Sequence, residues 1–177
     1  MTGAPTSLRL AWGRVPAGLA RRTAAWELIR DLVPGAVLSN RCARCGGDHG
    51  PVRIAGAEFE ASVTYAGDHA VVAVVSRAEA AAVGIDAELV DDPRRDAVGL
   101  AGVLGERPAD VRAWTRVEAT LKADGRGLRL DPALVDVVGT AASWTARVPG
   151  RAVALSGVDL DGPPGIVLSA AFATTSG

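Results

Sequence analysis

The sequence has almost no lysine. Of its 19 basic side chains one is lysine, Lys122, and the rest are arginine. Arginine is a planar, permanently charged fork; lysine is a compact amine whose pKa shifts with its surroundings and which can pass a proton. Lys122 is therefore a candidate for chemistry that arginine does not do, the alternative being an ordinary mobile surface lysine. Cysteine is confined to Cys42 and Cys45, in "CARCGGDH". A structural zinc site closes with four ligands. Only His49 stands near, and there is no second cysteine pair, so the two read as reduced structural thiols. No apolar run approaches the ~20 residues of a membrane-spanning helix, and the N-terminus lacks the charged-then-apolar pattern of a signal peptide. The expectation is a cytosolic protein without a membrane partner. A net charge of −1 supplies no global basic field for nucleic acid.

What is present is a chain of 177 residues, 49% hydrophobic but only 4% aromatic. It is long enough for one domain or two small fused halves. "SLRLAW" (7–12) alternates as a strand does. The stretch 16–35 has helical periodicity, with Leu19, Trp26, Leu28, Ile29 and Leu32 apolar, and stops at Pro34-Gly35. Residues 39–50 read as loop. "PVRIAG" and "EASVTYAG" are short strands, and "HAVVAVVSR" (69–77) is a β-branched run suited to a buried central strand. A further strand covers 82–90, and 91–108 holds a short helix or ordered loop. The clearest helix is 108–125, with Pro108 in its first turn, Asp110 near its start and Gly125 at its stop. "SWTARV", "RAVALSGVDL" and "GIVLSAAFA" close the chain as strands. The class is α+β, with no repeat and no low-complexity linker.

Acidic residues interrupt the strand 82–90. In "GIDAE", Asp86 and Glu88 are two apart, so both point to one face. Like charges side by side are unfavourable unless a cation sits between them, and a hard divalent ion suits oxygen ligands. On the helix, Glu118 and Lys122 are four apart, with Trp114 one turn earlier. If the helix crosses the strand, Glu118 adds a third carboxylate and Lys122 lies one turn beyond. Two simpler readings stand beside this one. Glu118 and Lys122 pair on a helix surface for ~0.3–0.5 kcal/mol, or Asp86 and Glu88 line the solvent face of an edge strand.

"GIDAE" at 84–88 and "WTRVEATLKADGRGL" at 114–128 resemble the paired motifs of the 4′-phosphopantetheinyl transferases, larger single-chain class: a G-[IV]-D-x-E strand and a W-x-x-K-E-A-x-x-K-x-x-G-x-G-[LI] helix. The matching positions are Gly84, Ile85, Asp86, Glu88, Trp114, Glu118, Ala119, Lys122, Gly125, Gly127 and Leu128. "CARCGGDHGPVRI" resembles a C-x-x-C-G-x-x-H-G-x-P segment of actinobacterial members, and "ASVTYAGDHAVVAVV" resembles the family's Ser-His strand pair. The resemblance spans most of residues 20–130.

It implies two similar α+β halves related by a pseudo-twofold, 1–90 with the GIDAE strand and 91–177 with the acidic helix, the site in the cleft between them and the chain a monomer. It implies Mg²⁺ held by Asp86, Glu88 and Glu118, and transfer of phosphopantetheine from coenzyme A to a serine of an acyl or peptidyl carrier protein, releasing 3′,5′-ADP. In-line phosphoryl transfer asks mainly for charge neutralisation and positioning. Glu118, or a water it polarises, is the implied base, and Lys122 falls on the family's active-site lysine.

The sequence departs from the family on the coenzyme A side. Thr64-Tyr65 stands for Ser-His; Thr64 keeps a hydroxyl, but Tyr65 carries no imidazolium charge. Gly50-Pro51-Val52 stands for Gly-Lys-Pro, leaving Arg41, Arg44 or Arg53 to supply the missing cation. Two other readings follow: a non-catalytic homologue that binds a carrier protein or coenzyme A, and a metal-dependent enzyme of the same fold with another substrate.

Overall fold

The computed structural model describes residues 3–92, 97–104 and 110–174. Its architecture is mixed α+β. The strands are β1 (Arg9–Arg14), β2 (Val37–Ser39), β3 (Arg53–Ala55), β4 (Phe59–Ala66), β5 (His69–Ser76), β6 (Ala80–Leu89), β7 (Asp136–Gly139), β8 (Trp144–Arg147), β9 (Leu155–Leu160) and β10 (Ile166–Thr174). The α-helices are α1 (Arg21–Leu32), α2 (Ala97–Leu104) and α3 (Val111–Asp124). Three strands form one sheet in the order β1-β5-β4, five form a second in the order β6-β10-β9-β8-β7, and β2 and β3 form a small ribbon. The ladders are antiparallel throughout.

Layering follows from where the apolar side chains of β5 point. Ala70, Val72 and Val74 pack with Ala25 and Ile29 of α1. Val71, Ala73 and Val75 face the other way, against Ile85, Leu168, Ala170 and Phe172 of the larger sheet. A strand buried on both faces reads as an unbroken β-branched run, as this one does. The far face of the larger sheet is covered by α3, whose Val117 and Leu121 pack with Trp144, Ala146 and Ala171. The order is thus α1, small sheet, large sheet, α3.

Helix α3 has the ends its sequence implies. The Asp110 side chain accepts from the Ala113 N–H at 2.7 Å, and Gly125 closes the helix in the left-handed region at φ +83°. Pro108 lies outside the described residues. The α3 backbone lies directly on β6 because Gly84 has no side chain; a Cβ there would collide with the Ala119 carbonyl and the Ala123 nitrogen.

Some element bounds differ from expectation. Helix α1 starts at Arg21 rather than near Pro16, since Gly18 at φ +81° and a Leu19 N–H to Pro16 carbonyl bond make a turn first. Strands β2 and β7, not read from the sequence, are short, and Val37 and Val138 are exposed, so no alternation marks them. The strand carrying GIDAE, assigned by sequence to the N-terminal half, pairs along its length with β10. By hydrogen bonding the chain passes from the smaller sheet to the larger at residues 77–79, before β6.

Candidate functional site

Strand β6 is the outer strand of its sheet and lies against β4, the outer strand of the other. Hydroxyls of β4 take the place of a backbone ladder there. Ser62 Oγ accepts from the Ile85 N–H at 3.0 Å, and Thr64 Oγ1 accepts from the Ala87 N–H at 3.3 Å. The edge amides of β6 are thereby satisfied in a buried place.

The opposite face of β6, under α3, carries the acids. Antiparallel register aligns Asp86 with Ser169 of β10, and Ser169 with Asp159 of β9. Paired residues share a face, so Asp86, Ser169 and Asp159 form a row beneath α3. Glu88 stands one position further along beside Val167. Asp86 is 5% exposed. Its Oδ1 accepts from Lys122 Nζ at 2.7 Å and from Thr64 Oγ1 at 3.1 Å. Its Oδ2 is buried with no hydrogen-bond partner among the described residues. Lys122 Nζ also donates to the Ile85 carbonyl at 3.0 Å. The lysine therefore reaches across to β6 and pairs with Asp86, and the alternative of a surface helix pair with Glu118 does not describe it.

Glu118 is half-buried on α3. Burial pushes its carboxyl above the usual range; the negative Asp86 and, more weakly, Glu88 add to this, and Lys122 opposes it. Among the described residues these three acids do not form a set of ligand atoms within 4.8 Å of one another; Cys42, Cys45 and His49 do. With Lys122 on Asp86, the nearest positive charge is already committed to one carboxylate. Because Glu118 holds its proton more tightly folded than unfolded, its contribution to stability is full below the ordinary carboxylate pKa and falls as pH rises through the raised value. Glu118→Gln is accordingly expected to stabilise the metal-free protein at neutral pH and to flatten that loss, as read by thermal melts across a pH series. A melt curve with the same pH slope in the variant would contradict the placement.

The second half of the row was not singled out from the sequence. Asp159, side chain 5% exposed, accepts from Arg116 Nε at 3.0 Å and a terminal Arg116 nitrogen at 2.7 Å. It also accepts from Ser169 Oγ at 3.0 Å and Trp144 Nε1 at 3.2 Å, and pairs with Arg112 at 3.0 Å. Burial pushes its carboxyl up, but the Arg116, Ser169 and Arg112 interactions outweigh this and hold it below the usual range. Gly157 is the reason Trp144 can reach it, since a Cβ there would overlap the indole.

The residues expected on the coenzyme A side are placed in three groups. Thr64 is buried and its hydroxyl is used within the fold, on Asp86 and Ala87. Tyr65 faces the opposite way, toward α1, with the Arg21 guanidinium 5.8 Å from its ring centre; burial raises its phenol pKa against the pull of Arg21 and Arg22. Arg41, Arg44 and Gly50 belong to the loop between β2 and β3, and Arg53 is exposed on β3. Gly50 permits the loop to close. Its N–H donates to the Asn40 carbonyl at 2.6 Å, and a Cβ would stand 2.7 Å from the Arg41 carbonyl oxygen. No helix among the described residues is long and apolar enough to cross a membrane.

No protein-family model matches the chain, and no curated protein matches it.

Proposed function

We propose that the protein transfers 4′-phosphopantetheine from coenzyme A to a serine of an acyl or peptidyl carrier protein, using Mg²⁺ held by Asp86, Glu88 and Glu118. One observation carries this reading: a buried Asp86 whose Oδ1 is held by Lys122 and Thr64 while Oδ2 has no hydrogen-bond partner among the described residues. A buried acceptor without a partner costs about 1–3 kcal/mol, more when charged. An oxygen-seeking cation beside Glu118 and Glu88 would supply that partner, with the carboxylates drawing in from the wider spacing they have without it. When bound, the ion neutralises the pyrophosphate charge of coenzyme A.

The chain's own residues account for the rest. The serine oxygen attacks the β-phosphorus, the bond to the departing 3′,5′-ADP breaks, and the serine proton passes to Glu118. Glu118 suits this because it stands on α3 close enough to Asp86 and Glu88 to feel their charge, which puts its carboxylate at the site as general base. Lys122, anchored at Asp86 and the Ile85 carbonyl, lies one turn along to offset charge that develops on the phosphate. Thr64 orients Asp86 instead of meeting phosphate. Each sheet carries a helix on its outer face, which supports two similar halves and a single-chain site.

The test is the intact mass of an apo carrier protein incubated with enzyme, coenzyme A and Mg²⁺; the expected gain is about 340 Da, the phosphopantetheine group moved by metal-assisted transfer. A second reading, a non-catalytic homologue that binds carrier protein or coenzyme A, is favoured by the internal use of the Thr64 hydroxyl. Binding of both partners without a mass gain would establish it.

Lys122→Arg separates an active lysine from a structural one. Arginine keeps the charge but is larger and does not exchange a proton near neutral pH. Turnover is expected to fall at least about tenfold, ~1.4 kcal/mol of barrier, with coenzyme A binding retained. Turnover within about twofold of the parent, under ~0.5 kcal/mol, would make Lys122 a simple counter-charge.

A further inference from the structure

The loop joining β2 to β3 takes no part in the chemistry above, yet its side chains converge. Cys42 Sγ, Cys45 Sγ and a ring nitrogen of His49 all lie within 4.8 Å of one another. Both cysteines are free, and Cys45 and His49 are exposed, so filling a core does not explain them.

The backbone is shaped around this cluster. The Cys42 N–H donates to the Gly47 carbonyl at 2.8 Å, and the Cys42 carbonyl accepts from the Gly46 N–H at 2.9 Å. Gly46 turns the chain in the left-handed region at φ +73°. Gly47 leaves room for the ligands themselves: a Cβ there would stand 3.2 Å from the His49 ring and 3.5 Å from Cys45 Sγ. The loop is then tied down, since the Asp48 carbonyl accepts from Arg22 of α1 at 3.0 Å and from Asn40 Nδ2 at 2.8 Å.

The geometry points to a zinc site formed by the thiolates of Cys42 and Cys45 and the imidazole of His49, with water in the fourth position. Soft sulfur with imidazole selects zinc among common cellular ions. Two thiolates and a neutral imidazole balance its charge. Tetrahedral ligands at zinc stand about 3.4–3.8 Å apart, from bond lengths of about 2.0–2.3 Å. Cys45 Sγ and His49 Nε2, now hydrogen-bonded at 2.9 Å, need separate by less than about 1 Å to reach that spacing. The two backbone bonds of Cys42, to the Gly47 carbonyl and from the Gly46 N–H, hold the first ligand in place. The sequence argued against zinc because a fourth protein ligand is missing. Three protein ligands suffice where the cluster faces solvent and water completes it.

The experiment titrates reduced, chelator-treated full-length protein with Co²⁺ and then Zn²⁺. Expected are one ion per chain, a sulfur-to-cobalt charge-transfer band, intense tetrahedral d–d absorption, and loss of both on adding Zn²⁺. Cys42→Ser combined with Cys45→Ser should abolish the sulfur band. His49→Gln should weaken binding while keeping that band. Trypsin gives an independent readout, because Arg41 and Arg44 flank the first ligand. Zinc at ten times its Kd should slow cleavage there roughly tenfold by stabilising the ordered loop. No sulfur band at micromolar metal, undiminished binding by the double-serine variant, or zinc-insensitive cleavage would each overturn the site.

Discussion

Asp86→Asn is expected to reduce transfer at least about a hundredfold while the protein remains folded, since a metal ligand supplies several kcal/mol of transition-state charge stabilisation. The fold should tolerate the change. Asparagine keeps the volume and an acceptor for Thr64. It removes a negative charge that adds to the effect of burial on Glu118 and replaces an Oδ2 that has no partner among the described residues. Lys122 loses its ion pair but keeps the Ile85 carbonyl. These changes oppose one another, and the net stability change should stay within about 1 kcal/mol. Transfer at more than a few per cent of the parent rate, an effect under about 2 kcal/mol, would remove Asp86 from the proposed metal site.

Asp159→Ala is expected to do the reverse, acting on the fold first. The substitution leaves Arg116, Arg112, Ser169 and Trp144 around an empty buried space, where one carboxylate had served all four. Removing one partner of a buried ion pair costs about 3–5 kcal/mol, which in a chain of this size is a fall in Tm of roughly 10 °C. Asp159 also sets an acid limit on the parent. Its depressed carboxyl pKa contributes stability above the ordinary carboxylate range, and that stability is lost as pH falls through the folded value. Glu118 contributes with the opposite sign, so the two variants should change the pH profile of the melt in opposite directions. A melting temperature unchanged in Asp159→Ala would contradict the network.

These two aspartates also show how far the sequence could be read. Asp86 was legible because it sits with Glu88 at a spacing of two in an otherwise apolar strand, and because a helix with a matching acid and lysine follows. Asp159 obeys the same logic. It follows Leu155 and Gly157 at spacings of two in β9, so it too faces inward. Its partners lie on other elements: Arg112 and Arg116 are helix neighbours four apart, and nothing in the sequence marks which arginines turn toward β9. Thr64 was read as a phosphate contact because it stands where the resembling family has serine. Its use on Asp86 depends on β4 lying against β6, and local pattern does not encode which strand edges meet. The helix α3 was legible to within a few residues, because Asp110 and Gly125 each have a physical reason to be where they are. Strand membership of β6 was not, since pairing with β10 joins segments about eighty residues apart, and such non-local contacts leave no trace in spacing.

The central claim is that Asp86, Glu88 and Glu118 together take one divalent ion. Mn²⁺ can replace Mg²⁺ as a paramagnetic probe of a hard-oxygen site. Titration of the protein with Mn²⁺ in the presence of coenzyme A, read by loss of the free-ion resonance signal, tests the claim directly. One ion per chain should bind, unaffected by Cys42→Ser with Cys45→Ser, weakened by Glu118→Gln, and absent in Asp86→Asn. Equal Mn²⁺ binding by the parent and Asp86→Asn, or none by the parent, would contradict it.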